Sequence, residues 1–191
     1  MPGLIHIVGA RPTFIKAAPV IAALDAAGAQ QQLIHTGQHY DRRMSEIFFE
    51  ELGLPEPDLN LGVGSGSHGT QTAALLVAME ETFGQAEPER VIVYGDVNST
   101  LAAALTCAKL GIPIAHVEAG LRSFDDTMPE EINRRVTDIL SDPLYVTAPE
   151  GEVNLSREGI SGERVVFVGN PMIDTLLKNL DRFDPAPVQA T

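Results

Sequence analysis

Three carboxylates and a few basic residues carry the chemistry open to this sequence. Asp96 stands in GDVNST, Glu118 in HVEAGLR and Glu130 in MPEEINRR, while Arg11 and Lys16 stand in GARPTFIK. A carboxylate that follows an apolar run can take or deliver a proton, and basic groups beside a glycine turn that opens a helix suit a phosphate or carboxylate. That inventory fits proton transfer on a phosphorylated substrate.

Each residue also has a plainer role. Asp96 either adds a cap to the helix after it, with Asn98 and Ser99 as the main caps, or serves as an acid, base or hydroxyl partner. Glu118 needs a partner in an apolar strand, and Arg122 or His116 could supply an ion pair; His116, inside the strand, reads as a satisfied core histidine. Thr127 and Glu130 have the spacing of a capping box with Pro129 in the first turn. Glu130 and Arg134 are also spaced i, i+4, as are Glu131 and Arg135, so one pair faces a crevice and the other water; Ile132, Val136, Ile139 and Leu140 form the expected buried stripe.

Other chemistries find no support. His35 and His39 straddle a strand end without the spacing of a metal set, no serine sits in a G-x-S-x-G elbow, and Cys107 lies mid-helix in LAAALTCAKL as a small core residue. The glycines of LGVGSGSHG imitate a dinucleotide fingerprint, but the true fingerprint follows the first strand directly, and here GARP does; the run reads as a mobile loop. No metal and no cofactor is expected.

The elements that must position these residues are legible as alternation. Apolar β-branched runs at 4–8, 33–36, 91–94, 114–117, 144–147 and 165–168 read as strands, and helical patterns lie at 14–26, 44–52, 70–83, 101–110, 130–140 and 150–158. Such alternation predicts an α/β fold, a doubly wound, mainly parallel Rossmann-like sheet. Ligands of such sheets bind beyond the carboxyl ends of the strands, where GARP, GQHY, GDVNST, EAGLR and GNP all fall.

The 191 residues, 44% hydrophobic and 20% charged, suit one large domain over 1–180, with 181–191 as a linker or frayed tail. A net charge of −13 opposes nucleic acid and anionic membranes, so neither is an expected partner, and an anionic ligand must be held locally by Arg11, Lys16, Arg122 and Arg134. Arg42, Arg43, Arg90, Arg157, Arg164 and Arg182 read as solvated surface charges. A single cysteine and the absence of a leader or a long apolar span predict a cytoplasmic protein.

The strings GARPTFIKAAPV, TGQHYDRRMSEIFFEELG, YGDVNSTLAAAL, HVEAGLRSF, MPEEINRRVTD and VGNPMIDTLL, in that order and reaching to about Leu177, resemble the non-hydrolysing UDP-N-acetylglucosamine 2-epimerase family. The resemblance implies half of a glycosyltransferase-B-like architecture, with the family's second, UDP-binding domain beyond this chain, a homodimer, and a place in cell-surface polysaccharide biosynthesis. It implies a UDP-sugar substrate, epimerised at C2 through loss and return of UDP by way of a 2-acetamidoglucal. By motif position, Asp96, Glu118 and Glu130 match the catalytic or substrate-contacting carboxylates, and Arg11, Lys16 and Arg134 the basic contacts. Gln38 and His39 match a pair that helps some members respond to a second UDP-N-acetylglucosamine, although the following YDRRM departs from that version. Epimerases of other UDP-2-acetamido sugars share these motifs. Two other readings stay open: a non-catalytic nucleotide-sugar-binding or dimerisation module, and a glycosyltransferase, against which the HVEAG and PEEINR carboxylates count.

Overall fold

The computed structural model describes residues 3–37, 49–160 and 162–182. Seven parallel strands form one sheet: β1 (Leu4–Val8), β2 (Gln31–His35), β3 (Leu59–Asn60), β4 (Arg90–Tyr94), β5 (Ile114–Ala119), β6 (Leu144–Val146) and β7 (Val165–Phe167). Their spatial order is β3-β2-β1-β4-β5-β6-β7. The chain thus winds outward from β1 to β3, returns to the far side of β1, and winds the other way. The reversal opens a crevice between the carboxyl ends of β1 and β4, the place where such sheets bind ligands.

Among the described residues the sheet is covered by the helices α1 (Arg11–Ala26), α2 (His68–Ala86), α3 (Asn98–Leu110), α4 (Pro129–Leu140), α5 (Pro149–Arg157) and α6 (Pro171–Lys178). The strands are apolar on both sides because both sides are covered. Val91 and Val93 of β4 pack with Leu75, Met79 and Phe83 of α2 and with the alanines of α3. Ile92 and Tyr94 of the same strand face the opposite way, toward Phe14, Ala17 and Ile21 of α1 and toward Phe49 and Leu54. Cys107 lies fully buried in the first of these cores, where burial pushes its thiol up to about 12, so it stays a protonated packing residue.

The doubly wound parallel sheet is as expected, and the strand runs coincide with the observed strands to within about two residues. Two elements were not anticipated, the two-residue β3 and the eight-residue α6. The expected helix over 44–52 is seen only at its described end, 49–52, and the tail over 183–191 lies outside the described residues. No helix among the described residues is long and apolar enough to cross a membrane.

The helix termini differ from expectation. Val97 is the N-cap of α3 and Met128 that of α4, both in extended backbone and neither with a side-chain cap. Asn98 and Ser99 therefore sit inside the first turn of α3, and Thr127 bonds Asp125 in place of completing a box with Glu130. Pro129 does open α4. Arg164, expected in water, donates to the carbonyls of Asp138, Ile139 and Ser141 at the end of α4, and Arg90 donates to that of Asp142. Cations there satisfy carbonyls that a helix end leaves without partners.

His6 shows how the core treats a neutral imidazole. Its Nε2 donates to Gln31 Oε1 at 2.9 Å and its Nδ1 accepts from the Tyr94 hydroxyl at 2.7 Å, the amide being oriented by a bond from Gln31 Nε2 to the Ile21 carbonyl. Burial, against a smaller opposing hydrogen bond to Gln31, lowers its pKa from 6.5 to about 4. The unfolded chain therefore binds the extra proton first, and stability falls as pH drops from 6.5 toward 4. The loss expected by the lower limit is about 3 kcal/mol. Denaturant melts at neutral and acid pH should show that a His6→Gln variant lacks this part of the slope; equal slopes in both proteins would refute the assignment.

Candidate functional site

At the carboxyl end of β1 the chain turns through Gly9 and Ala10 into α1. The Thr13 hydroxyl accepts from the N–H groups of both Gly9 and Ala10, at 3.1 and 3.3 Å, so these two donors are satisfied within the turn. Positive charge at this end therefore comes from side chains. Lys16, one turn further on, is buried, and its Nζ forms an ion pair with Glu118 Oε2. Glu118 thus finds its cation on α1, across the crevice, and not in His116 or Arg122, the plainer alternative.

Glu118 itself is held unusually. It lies at a register shift between β5 and β6 and has a φ of 77°, a left-handed backbone that few residues other than glycine adopt. The shift turns its carboxylate over the end of β4. A side chain at Gly95, which has a φ of 65°, would come within 2.9 Å of Lys16 Nζ and 3.2 Å of Glu118 Oε2. Glycine at 95 is what lets this ion pair lie against the backbone.

Asp96 follows at once, and its carboxylate pairs with Arg134 of α4. Arg134 also reaches Glu131 Oε2 at 3.1 Å, and Glu131 accepts from the Ser123 N–H at 2.8 Å and its hydroxyl at 3.0 Å. Burial opposes the charge on Glu131, yet these bonds and the Arg134 charge hold its carboxyl below the usual range. Glu130 is half-buried at the start of α4 and makes no ion pair among the described residues, while Arg135 pairs with Asp126 at 2.9 Å. Neither expected i, i+4 pair forms.

The face that α4 buries is also corrected. Glu131, Asn133, Thr137 and Asp138 are buried, whereas Ile132 and Ile139 are 51% and 63% exposed. The polar face turns inward because the rim offers partners to Glu131, Asn133 and Asp138, while the Thr137 hydroxyl is buried without one. Asn133, for example, donates to the Asp96 carbonyl at 2.8 Å and to Asn98 Oδ1 at 3.2 Å, and Asn98 donates to Gln71 at 2.8 Å. The missed participants Asn133 and Gln71 carry no sequence signal of their own.

Arg122 leaves the set of anion-binding candidates. Its side chain is 1% exposed and fully engaged by Asp138 and Glu158. Arg11 lies exposed at the mouth of the β1 turn. Gln38 and His39 lie outside the described residues. The structure thus brings Lys16, Asp96, Glu118 and Arg134 together at the reversal of the sheet, with Glu130 and Arg11 on its margin.

Fold and rim together define a Rossmann-like parallel α/β domain that offers carboxylates and cations to one ligand crevice. A family model described as UDP-N-acetylglucosamine 2-epimerase matches residues 22–190. The UDP-N-acetylglucosamine 2-epimerase of Methanocaldococcus jannaschii is 49% identical over 174 residues, 91% of this chain and 48% of that protein. The UDP-2,3-diacetamido-2,3-dideoxy-D-glucuronate 2-epimerase of Pseudomonas aeruginosa is 48% identical over 177 residues, 91% of this chain and 50% of that protein. Among solved structures, the M. jannaschii UDP-GlcNAc 2-epimerase in complex with UDP-GlcNAc and UDP superposes with a TM-score of 0.92 at 47% identity, covering 95% of this chain and 51% of that one. The Neisseria meningitidis enzyme bound to UDP-GlcNAc gives 0.86 at 29% identity, covering 94% and 50%. The chain belongs to the UDP-N-acetylglucosamine 2-epimerase family, and it spans about half the length of the relatives it matches.

Proposed function

We propose that this chain is the N-terminal domain of a cytoplasmic, two-domain UDP-N-acetylglucosamine 2-epimerase that interconverts UDP-GlcNAc and UDP-ManNAc. The observation that carries the reading is the convergence of Lys16, Asp96, Glu118 and Arg134 at the β1/β4 reversal as two carboxylate–cation pairs. A carboxylate removes the proton from C2, the C1–O bond to UDP breaks with its electrons, and a C1=C2 double bond remains as the 2-acetamidoglucal. UDP then returns to C1 and a second carboxylate delivers a proton to the other face of C2. Asp96, Glu118 and Glu130 are assigned to proton transfer, and Arg11, Lys16 and Arg134 to the diphosphate, whose charge grows as the bond breaks. Gln38 and His39 are assigned to further nucleotide-sugar contacts.

The crevice is completed by a second domain, and two exposed apolar surfaces support such partners. Val166, Phe167 and Val168 and, on α6, Ile173, Leu176 and Leu177 are exposed, as are Phe124 and Met128 ahead of α4 and Ile132 and Ile139 on it. The reading assigns the first surface to the second domain and the second to another copy in a homodimer. The strong similarity to the P. aeruginosa relative favours one alternative substrate class, another UDP-2-acetamido sugar.

The test is NMR of UDP-GlcNAc in deuterated water with this chain, alone and with a matching second domain. Deuterium at C2 and a manno-configured product are expected when both halves are present. No exchange with the fold intact would leave a nucleotide-sugar-binding module, and exchange only with a different UDP-2-acetamido sugar would reassign the substrate.

A further inference from the structure

Behind the two ion pairs of the crevice lies a second charge cluster, buried except at Glu158, that the proposed chemistry does not use. His116 of β5 and Asp138 of α4 are both 0% exposed, with His116 Nδ1 2.7 Å from Asp138 Oδ1. His116 Nε2 is 2.7 Å from the Gly95 carbonyl oxygen. Asp138 Oδ2 accepts from the Gly120 N–H at 3.1 Å and from Arg122 Nη1 at 2.8 Å. Arg122 closes the set with a two-pronged contact to Glu158, Nε to Oε1 at 2.8 Å and Nη2 to Oε2 at 2.6 Å.

The protonation of the ring follows from its partners. A carbonyl can only accept, so Nε2 carries a proton. Burial works against the charge on Asp138, but the bonds and charges of His116 and Arg122 hold its carboxyl below the usual range, so it too only accepts. Arg122 lies between Asp138 and Glu158, and of the four side chains Glu158 is the one that reaches solvent.

The backbone atoms that this cluster grips are the telling feature. Gly95 immediately precedes Asp96, and Gly120 lies two residues after Glu118. Gly120 has a φ of 80°, and a side chain there would come within 2.5 Å of the Gly151 carbonyl oxygen, so the loop after β5 is wedged against α5 as well as tied to Asp138. We infer that His116, Asp138 and Arg122 are positioning residues, a charged strut that fixes the spacing of the Asp96 and Glu118 loops and holds Glu118 in its left-handed conformation. The inference rests on the reading of Asp96 and Glu118 as proton-handling groups. Its reach is catalytic because a displacement of about 1 Å at a reacting group lowers turnover by up to about a hundredfold.

The first readout is 15N NMR of the histidine-labelled 191-residue chain, which needs no activity. A hydrogen bond at each ring nitrogen of His116 is expected; a ring nitrogen without one would overturn the strut. The second is kinetic, with His116→Asn and Asp138→Asn in the protein assembled with its second domain. Expected is a loss of about tenfold to a hundredfold in kcat with KM changed by less than about threefold. A lowered melting temperature with unchanged kcat per folded molecule would mark a purely structural role and overturn the inference. If the wild-type protein shows no C2 exchange, the epimerase reading has failed, and the strut is judged by amide exchange. Asp138→Asn should then expose the amides of residues 95–96 and 118–120 selectively, and uniform or absent change would count against it. Should both variants fail to fold, the ring nitrogens of the wild-type chain decide.

Discussion

An Asp138→Ala substitution is expected to lower the melting temperature of the chain by about 10 °C, the largest stability effect of any single side chain at the rim. The carboxylate is the common partner of the His116 ring, the Arg122 guanidinium and the Gly120 N–H, all of them buried. Alanine leaves Arg122 without its buried counter-charge and the His116 ring and the Gly120 N–H without their acceptor, and breaking a buried pair from one side costs about 3–5 kcal/mol. Glu158 still holds Arg122, which keeps the loss within that range. Calorimetric melts of the two proteins at neutral pH provide the check, and a difference under about 1 kcal/mol would show that water replaces the carboxylate without penalty.

The pH dependence separates this contribution from that of His6. Asp138 has a folded pKa below its unfolded one, so its stabilisation is present above the unfolded value of about 3.9 and is lost as pH falls through the lower folded value. His6 acts earlier, over the window from 6.5 down to about 4. The wild-type chain should therefore weaken in two successive steps on acidification, and Asp138→Ala should lack only the second.

How much of this was legible beforehand differs by the kind of signal. β1, β4 and β5 were readable because strands buried on both faces are continuous apolar runs, and the reversal of strand order followed from nothing more local than alternation. β3 and α6 were too short to show a period. Rim carboxylates could be found because they follow strands, but their partners could not. Lys16 and Glu118 are 102 residues apart, and only the sheet order puts α1 beside the end of β5.

The errors share a cause. Asn98, Thr127 and Glu130 were read through local rules for helix starts, and the tertiary network drew Asn98 into contact with Gln71 and Asn133 instead. On α4 the apolar stripe was assumed to face its own domain, yet polar and charged partners at the rim drew the other face inward. Arg122 looked like a local anion contact and Arg164 like a solvated charge, and each is fixed by groups that only the folded chain assembles. His116, read as a satisfied core histidine, is satisfied at both nitrogens.

Glu118→Gln is expected to lower C2 proton exchange by about 10²–10⁴-fold in the protein assembled with its second domain. Glutamine keeps the size of the side chain and can still accept from Lys16, but it cannot take a proton from carbon at neutral pH. Binding of the UDP-sugar should change only a few-fold, because the diphosphate is assigned to the cations. Lys16→Met separates the roles: if Glu118 serves only to anchor Lys16, the two substitutions should produce the same defect and the double variant no further one. If Glu118 handles the proton and Lys16 the diphosphate, Lys16→Met should mainly weaken binding and Glu118→Gln mainly slow exchange. The left-handed backbone at Glu118 favours the second outcome, since an anchor for a flexible lysine could be placed from ordinary strand geometry, whereas a carboxylate aimed at one carbon must be held in one direction.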